Sequence, residues 1–165
     1  EVGADAAIGD PENGLPLVER VVDEARVALC AEAIGAMDES LKSTVEYLKT
    51  RKQFGVAIGQ FQTLQHRAAD MFVALEQARS MSIFASMASS FEDAKEREKA
   101  VAAAKVQIGK SSKFVGQQAI QLHGGVGMTM ELKIGHYFKR LTMIESTFGD
   151  TDYHLRRVSE AGNLV

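Results

Sequence analysis

Two stretches of the chain combine residue types that could hold a ligand. Thr50 to Gln65 reads TRKQFGVAIGQFQTLQ, and Gln121 to Glu131 reads QLHGGVGMTME. In the first, Arg51 stands two residues from the amide Gln53, which is followed by the aromatic Phe54. A guanidinium fork fits two oxygens of a pyrophosphate. In the second, Gly124, Gly125 and Gly127 interrupt a helical pattern within four residues. Glycine admits φ > 0 and leaves no Cβ in the way of a ligand, and bare amides at a helix end can hold an anionic or flat cofactor. Taken singly, each stretch also has a plain structural reading. Arg51 can be a salt-bridged loop arginine with Phe54 in the core, and a Gly-Gly pair after a helix is most often a C-cap.

Other chemistries find little support. His66, His123, His136 and His154 show no i,i+4 pair with a third ligand nearby, and neither HExxH nor CxxC occurs, so no metal site is expected. Cys30 is the only cysteine and lies in an apolar helical stretch, which reads as a small core residue. GKSS at Gly109 to Ser112 lacks the glycine five residues earlier that a phosphate loop needs, because Ala104 is there. Charge runs such as Asp23 to Arg26 and EDAKEREK from Glu92 read as solvated helix faces.

The elements that must position these residues are helical. The chain has 165 residues, 45% of them hydrophobic and 25% charged, as in a globular protein with one core. A net charge of -3 argues against nucleic acid as the main partner. No apolar run is long enough to span a bilayer, and a reducing, cytoplasmic setting is the default expectation. Residues 1–16 are polar and glycine-rich and read as a linker or loop; with Glu1 in place of a starting Met, the chain is expected to be a piece of a longer protein.

Residues 17–165 form the expected domain. Both prolines, Pro11 and Pro16, precede the first helical pattern. Apolar residues at helical spacing predict one long helix from Leu17 to about Thr50. A second is predicted from about Gln60 to Ser89, and a third from Asp93 to Leu122 with Val101, Ala104, Ile108, Val115, Ala119 and Leu122 on one stripe. Shorter helices are predicted over Lys133 to Thr147 and Asp150 to Ala161. No sustained period-2 pattern occurs. The fold class is all-α: an antiparallel up-and-down bundle of three long helices with one or two short C-terminal ones.

The two stretches together, FQ-x-x-Q-H-x-x-A-D-M and Q-x-x-G-G-x-G-x-x-x-E, resemble the C-terminal helical domain of the acyl-CoA dehydrogenase family, from about Asp23 to Val158. The resemblance implies FAD as cofactor, an acyl-CoA substrate, a homo- or hetero-oligomer of related subunits, and a flavoprotein as electron acceptor. It implies that the loop Arg51 to Gly55 reaches the flavin dinucleotide of a neighbouring subunit, with Arg51 at its pyrophosphate and Phe54 near the adenosine half. Gln53 fits a family position that is often a small hydroxyl or a glutamine. Phe61-Gln62 matches a position against the cofactor, Gln62 being the informative residue. Gln121, Gly124 and Gly125 match a segment along the pyrophosphate and ribose, and Thr151 heads a last helix whose amides face the flavin. Arg26 matches an arginine near the CoA portion of the substrate, preceded by the acid that is here Asp23 or Glu24.

The resemblance fails at the catalytic base, which in many members is a glutamate just before Gly-Thr. That position here is Gly149, and Asp150 stands where glycine is usual; the spacing after Glu131 is one residue longer than in common relatives. In another branch the base precedes the arginine matched by Arg26, and that position is Ala25. No catalytic residue is therefore expected in this chain, with Asp150 the internal challenger. Some bacterial members pair a base-bearing subunit with one that only completes the cofactor site, and this chain resembles the latter. The competing expectation is a structural bundle that assembles and binds no cofactor.

Overall fold

The computed structural model describes residues 3–10 and 12–162. Its helices are α1 (Leu15–Thr50), α2 (Gln62–Ala88), α3 (Ala94–His123), α4 (Lys133–Ser146) and α5 (Thr151–Ala161). α1 begins two residues before the periodicity predicts, because Pro16 fits the first turn, where its missing N–H has no intrahelical partner to lose. Asp93 caps α3 by accepting from the amides of Lys95 and Glu96 at 2.8 and 3.2 Å. Between α1 and α2 the chain forms a small antiparallel hairpin, β1 (Lys52–Gln53) and β2 (Val56–Ala57). Strands of two residues are too short to leave an alternating pattern in the sequence.

The direction of each helix follows from its side-chain ties. Asp23 meets Arg97 near the N-terminal ends of α1 and α3, and Tyr47 stacks on His123 near their C-terminal ends. α1 and α3 are therefore parallel, with α2 antiparallel between them in sequence. α4 runs back along α3, with the Arg140 guanidinium donating to both Glu32 oxygens of α1 at 2.6 and 2.7 Å. α5 continues in the direction of α4 and lies against the first half of α3, where Arg157 pairs with Glu98. The core is a layer of Met37, Met71, Leu75, Ile108 and Leu141, each fully buried, with alanines 33, 78, 104 and 119 letting the helices approach. Every such Leu or Ile contributes on the order of 2 kcal/mol by leaving water. All six residues of the α3 stripe are buried.

The charge runs are not uniformly solvated. Asp23 and Arg97 are both buried, with Asp23 accepting from Arg97 Nε at 3.3 Å and from Arg26 Nη1 at 3.1 Å. The helices bring together two charges 74 residues apart, and each carboxylate oxygen of Asp23 accepts from its own guanidinium. GKSS lies wholly inside α3.

Candidate functional site

The expected site residues fall into two groups on the bundle. Arg51 follows the last residue of α1, and its backbone closes both sides of the hairpin: its N–H donates to Tyr47 O and its carbonyl accepts from Ile58 N–H, each at 2.8 Å. Its side chain is exposed and, among the described residues, makes no ion pair. Gln53 is exposed, donating only to the carbonyl of Lys52. Phe54 and Gly55 turn the hairpin with φ of 55° and 82°, the pair of positive values that a tight two-residue turn requires. Phenylalanine is strained there. Its ring is 90% exposed and touches Phe61 edge-on at 6.1 Å between centroids. The plain structural reading of this loop is thus wrong on both counts: Arg51 is not salt-bridged and Phe54 is not in the core.

Gln62 opens α2, whose N-terminus has neither a side-chain cap nor an acid in its first turn. Arg67 donates to Gln118 of α3 at 3.0 Å. Five residues back on α2 and five forward on α3 put Gln62 and His123 at one level of the bundle, since both helices rise about 1.5 Å per residue. His123 Nδ1 bonds the carbonyl of Ala119 at 2.8 Å and its ring lies 4.5 Å from that of Tyr47. This half-buried stack ties the end of α3, just before the glycine segment, to the end of α1, just before the hairpin; its only trace in sequence is a histidine beside a Gly-Gly pair. The segment itself is a 3-10 turn, Gly124–Met128, rather than an open loop. The three glycines have different reasons to be there. Gly124 takes φ of 65°. A Cβ on Gly127 would lie 2.9 Å from the Ile120 carbonyl oxygen, so that position needs close approach. Gly125 has neither constraint: its φ is not positive and a Cβ would meet nothing within 4 Å. Gln121 is exposed on the same end.

The second group lies at the joint between α4 and α5. Thr151 sits beside Gly109 of α3, 14 residues before His123, or about 20 Å down the helix. Here the donors are occupied. Glu145 accepts from Thr151 N–H at 2.9 Å and Asp150 from Tyr153 N–H at 2.7 Å, so two carboxylates cap the start of α5. Arg26, mostly buried, donates from Nε to the Phe148 carbonyl at 3.0 Å and from Nη1 to Asp23. Glu24 is exposed and pairs with Arg20 at 3.0 Å. A cavity of about 250 Å³ opens between α1, α3 and α5 beside Arg26 and Tyr153.

Lys105 and His154 complete this joint, and sequence reasoning missed both. The buried Lys105 ammonium donates to the carbonyls of Ile144, Glu145 and Thr147 at 2.8, 3.2 and 3.0 Å, closing the C-terminus of α4. Burial lowers its pKa from the ordinary lysine value. A lone lysine in the apolar run Val101 to Ile108 was the available signal. His154, also buried, bonds the Phe148 carbonyl through Nε2 at 3.1 Å and leaves Nδ1 without a partner. Nε2 therefore carries the proton. Burial, then the Arg26 and Lys105 charges, push its pKa down to about 4, which keeps the ring neutral at pH 7. Burial pushes the Cys30 thiol up to about 11, so it is unreactive. Among the described residues no cluster of potential metal ligands forms, and no helix is long and apolar enough to cross a membrane.

The fold is that of an all-helical bundle domain. The model of the acyl-CoA dehydrogenase C-terminal domain matches residues 12–162, and the chain belongs to that family. It is 39% identical over 120 residues to the acyl-CoA dehydrogenase IpdE2 of Mycobacterium tuberculosis, covering 73% of this chain and 36% of that protein. Among solved structures it superposes on an FAD-dependent dehydrogenase with a TM-score of 0.90 and 30% identity, over 99% of this chain and 44% of that one. A variant of the Tcur3481–Tcur3483 steroid ACAD matches with a TM-score of 0.81 and 32% identity, over 86% of this chain and 39% of that one. The chain thus spans less than half the length of each of these relatives.

Proposed function

We propose that this chain is the C-terminal domain of an FAD-dependent acyl-CoA dehydrogenase and completes a flavin site shared with a neighbouring subunit. The observation that carries this reading is the open end of the bundle. Arg51, without an ion pair among the described residues, a strained and exposed Phe54, the uncapped start of α2 and a glycine with no structural need of being glycine share that end. The residues fit the group. Arg51 and the first amides of α2 suit a pyrophosphate, Phe54 offers a ring face, and Gln53, Gln62 and Gln121 offer amides. Gly124 and Gly125 leave the backbone bare. A structural bundle that binds nothing gains little from an aromatic that is both strained and 90% exposed; Phe148, at a similar φ, is half covered at 47%.

The flavin, when bound, supplies the hydride acceptor for α,β-dehydrogenation of an acyl-CoA thioester. This chain supplies positioning and charge, and no base. That reading rests on Gly149 and Ala25 at the two positions where the family carries it. Of the nearby acids, Asp150 is engaged as the cap of α5 and Glu24 in an ion pair with Arg20. The base then belongs to a partner subunit, and Arg26 serves the joint as well as any CoA it meets. Assembly is supported by an unpartnered apolar face on α2, where Phe72, Val73, Ile83, Phe84 and Met87 are all exposed. The electron acceptor is a flavoprotein, and a setting in the cytoplasm completes the reading.

Gly125→Ala tests the site in the full-length protein with its partner. The fold should accept the methyl group, leaving the melting temperature of the flavin-free protein unchanged, while flavin affinity falls by at least about tenfold through steric conflict. Unchanged flavin affinity, or no flavin in the parent complex, would return the domain to a purely structural role.

A further inference from the structure

Phe148 and Gly149 carry consecutive positive φ values of 57° and 106°. Only glycine takes the second without strain. A Cβ at Gly149 would run into the Tyr153 ring and lie 2.8 Å from His154 Nε2. Both obstacles are tied to their neighbours. The Tyr153 ring meets His154 edge-on at 5.0 Å and 85°. Its hydroxyl accepts from Arg157 Nη1 at 3.1 Å, and the same guanidinium lies 5.7 Å from the ring centroid. Arg157 is itself anchored to α3 through Glu98. The backbone of the joint is held as well: the Phe148 carbonyl accepts from Arg26 and His154, and Lys105 holds three carbonyls just before it.

We propose that Tyr153, pinned by Arg157 and His154, is a positioning residue that shuts the side-chain room at position 149, so that even a restored glutamate cannot serve as base there. The proposal deepens the base-free reading and rests on position 149 being one of the family's base positions; the packing half of it does not depend on that reading. It also predicts that losing the glutamate and filling its room go together, so reverting one residue is insufficient.

The test is a cycle in the full-length protein with its partner subunit: the parent, Gly149→Glu, Tyr153→Ala, and both together. Two quantities are read: the melting temperature, and exchange of the α-proton of a saturated acyl-CoA into D2O above the level of the parent complex. Gly149→Glu alone should lower the melting temperature by several degrees and add no exchange. In the Tyr153→Ala background the same change should cost clearly less, and exchange should appear. Equal losses in both backgrounds, or exchange with Gly149→Glu alone, would overturn the proposal. Coupling in melting temperature without exchange in the double variant would keep the shut room and remove the base reading of position 149.

Discussion

The chain makes the same turn twice with opposite results. Phe54-Gly55 and Phe148-Gly149 are both Phe-Gly pairs with two positive φ values; the first closes the hairpin ahead of α2, and the second directly precedes α5. At the first, the ring stands in water, a Cβ on the glycine would meet nothing within 4 Å, and the helix that follows has no side-chain cap. At the second, the glycine is crowded by Tyr153 and His154, and two carboxylates cap the helix. The sign of φ is shared at both residues, so it alone does not distinguish them. The difference lies in what the neighbouring helices send in: α3 and α1 drive Lys105 and Arg26 into the second turn, and nothing comparable fills the first. An open strained turn is free to meet a ligand, and a filled one holds the chain.

If that contrast is right, changes at the joint should cost stability and changes at the hairpin should not. The largest effect is expected from Lys105→Met, which keeps the length of the apolar stem and leaves three carbonyls without their donor. A loss of about 3 kcal/mol in urea unfolding is expected, the usual size when a buried charged hydrogen-bonding partner is removed. A loss below about 1 kcal/mol would show that water replaces the ammonium readily and that the joint is open after all.

A smaller effect follows from His154. Its folded pKa of about 4 lies below the ordinary 6.5. Between those values the unfolded chain binds the proton and the folded chain does not, so stability is full above pH 6.5 and falls as pH drops toward 4. Arg26 and Lys105 face the ring and oppose its charging, while Asp150 favours it. Glu32 and Asp38, lowered by hydrogen bonds and charge from Arg140 and from Lys42 and Arg79, titrate below their ordinary values of 4.5 and 3.8, and in the upper part of the window the difference between the parent and His154→Asn reports His154. Melting temperatures from pH 7 to 5 should slope in the parent protein and flatten in His154→Asn. The same slope in both would place the imidazole in contact with water.

The contrast was only partly legible in the sequence. The helices were, because residues such as Val101, Ala104, Ile108 and Val115 recur at helical spacing and all face the core. The residue types of the open end were visible too. The predicted up-and-down order already makes α1 and α3 parallel; what was not legible is the level at which their ends meet, fixed by contacts such as Tyr47 with His123. Asp23 and Arg97 each sit in a charged local run that looks solvated, and only the packed helices bury them as a pair. Local reading also put Arg51 in a salt bridge and Phe54 in the core, by the usual fate of such residues. The tertiary structure supplies neither an acid nor a cover. Tyr153 gave no signal at all, because its role exists only relative to the missing side chain at Gly149.

The smallest expected effect has the opposite sign, and it sharpens the comparison most. Phe54→Asn replaces an aromatic residue at φ of 55° by one that favours this region, directly before a glycine, the pairing best suited to a tight hairpin turn. The ring it removes is 90% exposed and touches only Phe61 edge-on, so little packing is lost. The flavin-free protein should gain roughly 1 kcal/mol in unfolding free energy, the lower end of the strain released. The same change should weaken flavin binding, because the ring proposed to meet the adenosine half is gone. A gain in stability together with a loss of binding means that the strain is kept for the ligand. A loss of stability would mean that Phe54 packs in the flavin-free protein, and the open end would then be another filled turn.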